Sequence, residues 1–374
     1  MRLVLGNNTA GGKRHLRTQH TIQQSGSPMA DDEEVHQLNV TSLHEEGFPI
    51  KDSKRQKIQQ YQTPQGDVCE AQKPVKNQLL ELCKQVNNFF FKGFLEGNFI
   101  PFLCEGSTVG LVPPWVVIQL RKYPEVFCVT QDKILFTSNL NNPQERSKAL
   151  DQVLRDFKGK GTFLPLTGWR EECYEIKRIF SEPALFKIER SASPLFGMRK
   201  YGVQITGYVH HSLLGLSVWF QKRAATKPTW PNMMDNFVGG GITEGIDIIQ
   251  TAIKEAAEEA NVPPEIADNL KAVGTVSFFH ESERGIHPNT EFVFDLELPE
   301  DFTPDNNDGE VSGWELVPVD QVVKVICSTT SFKITSSPVV VDWLIRHGIV
   351  THHTEYDLPQ IVELIHLPLH NFYN

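Results

Sequence analysis

Residues Val238–Val262, VGGGITEGIDIIQTAIKEAAEEANV, decide how the rest of the chain is read. Within them Lys254–Glu259, KEAAEE, places three carboxylates along one helical edge, with Glu255 and Glu259 at i, i+4 and Glu258 at i+3. Like charges this close repel, and a divalent cation removes the repulsion, because hard cations such as Mg2+ prefer carboxylate oxygens. The boundaries predict a helix. Asp247 stands before the apolar periodic run with Gln250 three residues on, the pattern of a capping box. Ile249, Ala252, Ile253, Ala256 and Ala260 form an apolar stripe at helical spacing. Asn261 suits the left-handed turn after a helix, and Pro263-Pro264 stops continuation. Upstream, Gly239, Gly240 and Gly241 let the backbone approach a metal or a phosphate closely.

An acidic run taken alone describes a solvated helix face. What sets this one apart is its register with the glycine-rich entry, the capped start and the asparagine stop. The loop and helix together resemble the motif of the Nudix hydrolases, a glycine, a first glutamate, then Arg-Glu-apolar-x-Glu-Glu-x-Gly. Carried over residue by residue, the resemblance makes Glu255, Glu258 and Glu259 the metal-binding glutamates and Gly240 the opening glycine, also at the metal. Ile246 stands where the family has its first glutamate, Lys254 where it has arginine, and Asn261 where it has the closing glycine. Lys254 offers charge but not the planar two-pronged contact of a guanidinium. The resemblance implies an α/β (α+β) fold, a Nudix-type α/β/α sandwich with a mixed sheet, preceded by a smaller α/β domain. It also implies Mg2+ (or Mn2+) as cofactor and a small-molecule organic diphosphate as partner.

A chain of 374 residues has room for two domains and an extension. Its net charge of -10 argues against a general binder of nucleic acid or of anionic membrane, either of which wants a basic face. Phosphate-bearing small molecules remain open, because a bound cation reverses the local sign. Six cysteines, Cys69, Cys83, Cys104, Cys128, Cys173 and Cys327, show no CxxC and no zinc-finger spacing, and read as reduced thiols. No apolar run reaches the roughly 18 to 20 residues of a membrane span, so a soluble, cytoplasmic protein is expected. The alternative is mitochondrial. Arg2, Lys13, Arg14 and Arg17 precede any acidic residue, as in a transit segment, although a plain tail or an upstream extension before Met29 fits as well.

Four segments follow from the patterning. Residues 1–75, poor in aromatics and rich in Gln, Ser and charge, read as a disordered extension. Residues 76–190 read as an α/β companion domain: Leu79 to Phe90 make an apolar helical face, VGLVP, VFCVT and KILF are strand-like runs between Val109 and Phe136, and Pro143 to Phe157 is a helix. Trp169, Arg170 and Tyr174 are able to stack on or clamp a substrate, although such a pair is more often structural. By resemblance, a segment of this kind precedes the hydrolase domain in fungal and plant Nudix proteins related to a domain fused to thiamine pyrophosphokinase. Residues 191–350 then form the hydrolase domain, and 351–374 a C-terminal helical tail.

In the hydrolase segment Tyr201 to Val209 alternates as a strand with a partner at Leu216 to Gln221, and Val273 to His280 and Glu291 to Leu298 are further strands. Glu281–Pro288 reads as a polar loop able to cover a substrate. The resemblance places the basic segment from Lys222 to Lys227 beside the site, which makes Arg223 and Lys227 candidates for the terminal phosphate. It also points to an additional glutamate before a strand with Trp, here Glu310, with Glu291 as runner-up. The expected catalytic set is Glu258, Glu259 and Glu310, with Glu258 or Glu310 accepting the proton of the attacking water. Trp219, Phe220, Trp230 and Phe237 are aromatic candidates for a heterocycle and equally for the core. His352-His353 lacks a third ligand at a recognisable spacing.

The implied reaction is hydrolysis of a diphosphate bond. The thiamine-linked branch suggests a thiamine diphosphate derivative, such as oxythiamine or oxothiamine diphosphate, converted to the monophosphate. An 8-oxo-guanine nucleoside diphosphate is the alternative substrate. A diphosphate-binding module with weak or no turnover is the alternative class.

Overall fold

The apolar face that begins at Leu79 forms helix α1 (Gln78–Val86), which buries Leu79, Leu80, Leu82, Cys83 and Val86. The computed structural model describes residues 77–373; the predicted extension, its basic residues, Met29 and Cys69 lie outside the described residues. After a π-helical turn at Phe90–Phe94 come β1 (Ile100–Cys104), β2 (Ser107–Val112), α2 (Pro114–Leu120), β3 (Phe127–Val129) and β4 (Ile134–Phe136). The apolar stretch after β2 is helical, not extended, because Pro114 occupies the first helical position, where its missing N–H costs nothing. The four strands form one sheet in the order β2-β1-β4-β3. Helix α3 (Pro143–Gly159) starts on an Asn142 side chain that accepts from Glu145 N at 2.9 Å, and it buries Leu150, Val153, Leu154 and Phe157. A two-stranded ribbon, β5 (Cys173–Ile176) and β6 (Phe186–Glu189), leads to a 3-10 turn at Arg190–Phe196.

The later part is built on β7 (Lys200–His211), β8 (Gly215–Arg223), β9 (Met234–Asp235), β10 (Val238–Gly241), α4 (Ile248–Ala260), α5 (Pro264–Ala267), β11 (Lys271–Ser282), β12 (Gly285–Glu297), β13 (Val311–Pro318), α6 (Val319–Ile326), α7 (Ser337–Arg346) and α8 (Leu358–Ile365). Its seven strands make one mixed sheet in the order β11-β12-β7-β8-β13, with β10 on β7 and β9 on β8. The parallel pair is β12 on β7, which sets Glu291 opposite Gly202. One face of this sheet packs on α4 through Val203, Ile205, Phe237, Ala252, Ala256 and Ala260. The other packs on helices through Phe220, Phe278, Trp343 and Ile361. This is the α/β/α layering with a mixed sheet that the motif implied.

Three features differ from the sequence reading. Helix α1 packs against α7, α8 and β11, so its leucines complete the core around Trp343 and not that of the four-stranded sheet. The segment from 351 onward is likewise built in: Ile361, Leu364 and Ile365 join the same core, and Tyr373 Oη donates to Gly197 O at 2.6 Å. Glu281–Pro288 is not a loop, since β11 and β12 run through it and close with Ser282 opposite Gly285. The tight turn is permitted because Gly285 has φ 122 and a side chain there would strike Pro194 O. All described residues lie in one compact unit.

Candidate active site

Helix α4 starts and stops as its sequence predicts. The Asp247 side chain accepts from Gln250 N at 2.8 Å, and Asn261 takes the left-handed conformation with φ 51. Its buried face keeps Ala252, Ala256 and Ala260 of the predicted stripe but not its isoleucines. Ile249 and Ile253 are exposed, at 44% and 40%, whereas Thr251, Ala252, Ala256, Glu259 and Ala260 are buried. The helix lies so close to β10 that only small side chains fit between them, and this rolls the acidic edge inward.

The consequence is a graded set of carboxylates. Glu259 is 3% exposed and accepts from Gly239 N at 3.0 Å and from Gln221 Nε2 at 3.1 Å. Burial pushes its pKa up to about 8, against the opposing effect of the Gly239 N–H. Glu255 lies against Gly240, where any Cβ would collide with its carboxyl group. Burial raises Glu255 too, with Lys254 and Arg190 pulling the other way. Glu258 is the exposed member and accepts from Lys254 Nζ at 2.6 Å. Glu291, the runner-up, is buried beside Gly202, accepts from Asn289 Nδ2 at 3.0 Å, and is also raised by burial.

Glu310 reaches the same place by a route the sequence does not display. Asp305 N donates to Ala260 O at 3.3 Å and Asn307 N to Glu258 O at 3.2 Å, so the loop before β13 is moored on the last turn of α4. There Glu310 pairs with Lys227 and stands 3.8 Å from Arg170 Nη1. Burial works against the Glu310 carboxylate, but the bonded Lys227 ammonium, with Arg170 and Arg223 nearby, holds its pKa below the ordinary glutamate value.

Arg223 needs correction as a phosphate ligand. Its guanidinium donates to Asp235 Oδ2 at 2.9 Å, to Thr229 O at 2.9 Å and to Trp230 O at 3.1 Å, and the residue is only 7% exposed. Its donors are used to fold the 224–234 loop back onto β9. Of the aromatic candidates, Phe220 and Phe237 are fully buried, Trp219 packs with the core beneath α4, and Trp230 lines the cavity. His352 and His353 lie with ring centroids 3.7 Å apart and planes tilted by 43°, and neither lines the cavity.

These groups line one cleft of about 800 Å3, a volume suited to a nucleotide-sized molecule. Gly239, Gly240, Gly241, Glu255, Glu258, Glu259, Glu291 and Glu310 form one wall. Arg170, Glu172, Tyr174 and Arg190, from the segment before β7, form another. At a further end stand Lys200, Trp230, His280, Arg284 and His287. The sequence reading missed Arg190, Lys200, His280, His287 and Lys333. For Lys200 and His287 the alternation of β7 and β12 was the available signal, because Lys200 on β7 and His287, Asn289 and Glu291 on β12 share one sheet face.

A domain of unknown function (DUF4743) is matched by residues 78–200, and the NUDIX domain by residues 211–335. Nudix hydrolase 24, chloroplastic, of Arabidopsis thaliana is 37% identical over 256 residues, covering 68% of this chain and 69% of the relative. The chain belongs to the Nudix hydrolases. Nudix hydrolase 20, chloroplastic, of the same plant is 37% identical over 263 residues, with 68% and 69% covered. Among solved structures, the NUDIX domain of Shewanella oneidensis NrtR complexed with ADP ribose aligns at 17% identity, covering 41% of this chain and 91% of that one, with a TM-score of 0.32. The chain is thus a hydrolase of the family that acts on diphosphate bonds. No helix among the described residues is long and apolar enough to cross a membrane.

Nudix hydrolases generally use divalent metal ions, and the donor set here fits one. Glu259 and Glu291, buried, and Glu255, partly buried, are hard oxygen donors with too little compensating charge, which is the condition a cation relieves. Among the described residues no three acidic, histidine or cysteine side chains already converge as a closed set. The Gly240 contact supplies a direct test. Gly240→Ala is expected to push Glu255 aside and raise the Mg2+ concentration for half-maximal activity on the order of 10- to 100-fold, the range for disturbing a ligand's support. Metal titration of both proteins checks it, and an unchanged midpoint rules the role out.

Proposed function

We propose that this Nudix protein is a Mg2+- or Mn2+-dependent hydrolase that converts an organic diphosphate to its monophosphate, with oxothiamine diphosphate the substrate we favour. The observation that carries the reaction is the rotation of α4, which turns Glu255 and Glu259 into the cleft beside the glycine strand. Glu255, Glu258 and Glu259 would hold the metal, with Gly240 at its side. Such an ion supplies Lewis-acid polarisation and neutralises charge on the phosphoryl oxygens. The chain's own residues do the rest. Water adds to phosphorus, the bridging P–O bond breaks, and Glu310 or Glu258 takes the proton. Lys227 stands at Glu310, placed to meet the phosphate leaving with the negative charge.

The far end of the cleft supports an uncharged ring. Lys200 Nζ lies 3.0 Å from His287 Nδ1 and forms no ion pair among the described residues, although the Glu291 carboxylate is near enough to offset part of its charge, and Arg284 Nη2 donates to Pro228 O at 2.6 Å. Burial lowers Lys200 to about 8, and it pushes His287 well below the ordinary histidine value. A thiazolium cation meets repulsion here, whereas a neutral oxidised ring on Trp230 does not. That favours oxothiamine diphosphate over thiamine diphosphate and oxythiamine diphosphate, both of which keep the cation. An 8-oxo-guanine nucleoside diphosphate satisfies the same charge condition and is the second reading. The absence of a closed donor set among the described residues is what a binding module with little turnover would also show.

Phosphate release from these four diphosphates, with and without Mg2+, separates the readings. The expected order places oxothiamine diphosphate first, at least about tenfold in kcat/KM over thiamine diphosphate, the effect of one like-charge contact worth roughly 1.4 kcal/mol. A thiamine diphosphate rate equal to it removes the charge argument, the nucleotide in first place selects the second reading, and binding without release selects the module.

A further inference from the structure

We propose that the segment matched as a domain of unknown function supplies the phosphate-binding wall of the catalytic cleft, and that Arg170 is its binding residue. This rests on the hydrolase reading for the identity of the bound group, a diphosphate. Lys254 replaces the motif's arginine and bonds Glu258, and the Arg223 guanidinium, 7% exposed, is bound into the fold by Asp235 and two backbone carbonyls. Neither offers a guanidinium free of fold contacts to a phosphate.

Arg170 does. Its guanidinium makes no hydrogen bond among the described residues, lines the cleft, and touches only Glu310 Oε1, at 3.8 Å. Its backbone is nevertheless fixed. The buried Glu189 carboxylate accepts from Arg170 N at 3.2 Å and from Ser191 N at 3.1 Å, so one side chain sets both Arg170 and the turn that bears Arg190. The next residue, Glu171, sits at φ 58, a conformation costly for a non-glycine residue, and is held there by two bonds from Arg155, at 3.1 and 2.8 Å. A strained, anchored backbone that presents an unused guanidinium to a cleft of carboxylates is built for an anionic ligand arriving with its own cation. Arg190 stands on the same wall, with Nη1 bonded to Glu172 at 2.7 Å, and is a weaker contributor because that donor is occupied. Two phosphoryl oxygens match the fork of Arg170, and a lysine ammonium would meet only one.

The test uses the full chain, Arg170→Ala and Arg170→Lys, with Arg121→Ala, an exposed arginine outside the cleft, as control. Two quantities are read: KM for the best diphosphate of the panel, and calorimetric binding of inorganic pyrophosphate with Mg2+. Arg170→Ala is expected to weaken both by about 10- to 100-fold, the loss of one or two charge-assisted hydrogen bonds, while Arg170→Lys recovers part and Arg121→Ala changes neither. Its thermal midpoint should stay that of the wild type, since the removed group bonds nothing in the fold. If the wild type binds pyrophosphate but releases no phosphate from any substrate, and Arg170→Ala still loses binding, the wall stands and the hydrolase reading falls. If wild type and Arg170→Ala share KM and affinity, or if the wild type binds no pyrophosphate, the proposal is overturned.

Discussion

Glu259→Gln is expected to lower kcat by on the order of 100- to 1,000-fold, the cost of removing one preorganised electrostatic group from an active site. The exchange is close to isosteric, so its effect is on charge. A glutamine oxygen in the place of Oε2 keeps both bonds, from Gly239 N and from Gln221 Nε2. Stability should therefore hold or rise slightly, because a carboxylate raised to about 8 by burial is one the fold stabilises poorly in its charged form. Loss of turnover with an unchanged or higher melting temperature is the diagnostic pair. Equal activity would mean that the buried carboxylate serves packing alone. The solvent-side Glu258→Gln also frees Lys254, so comparing the two separates the buried ligand from the accessible one.

The second large effect concerns stability. Asp235 is 4% exposed and its Oδ2 accepts from Arg223 Nη1 and from Lys333 Nζ, both at 2.9 Å, while Oδ1 accepts from Asn236 N at 2.9 Å. Burial disfavours its charge, but Lys333 and Arg223 outweigh that and hold its pKa at about 2. Asp235→Ala leaves two cations without their counter-charge and should cost about 3–5 kcal/mol at neutral pH. Because the folded-state value is depressed, the stabilisation is present above the ordinary aspartate range and is lost as pH falls from about 4 toward 2. Denaturant unfolding at pH 7 and pH 3 should show the gap between wild type and variant narrowing. A pH 7 difference below about 1 kcal/mol would put the pair among weak surface bridges. The same substitution releases Arg223, so the 224–234 loop that carries Lys227 and Trp230 should loosen with it.

Much of the site was legible because it is local. Asp247, Asn261 and the spacing of the glutamates act within one helix turn or two, and the structure shows each cap where its residue stands. The exact direction in which that helix faces was legible only in part, through Ala252, Ala256 and Ala260. Isoleucine carries more hydrophobicity than alanine, so Ile249 and Ile253 outvote the alanines in any one-dimensional count, yet the glycine strand leaves room only for Ala252, Ala256 and Ala260. Arg223 shows the same weakness. A basic residue in a basic loop looks free until Asp235, Thr229 and Trp230 are seen to occupy its donors.

The chain's sequence by itself determined where α4 begins and ends and which acids travel together on it, because those outcomes depend on neighbours within a few residues. Tertiary structure decided what the acids face. The parallel pairing of β12 on β7 brings Glu291 to Gly202, the mooring of the 305–309 loop on α4 brings Glu310 to Lys227, and Glu189 aims Arg170 across the cleft. Helix α1 and the last helix meet in one core although about 270 residues of chain separate them, a contact whose loop-closure cost no local pattern encodes.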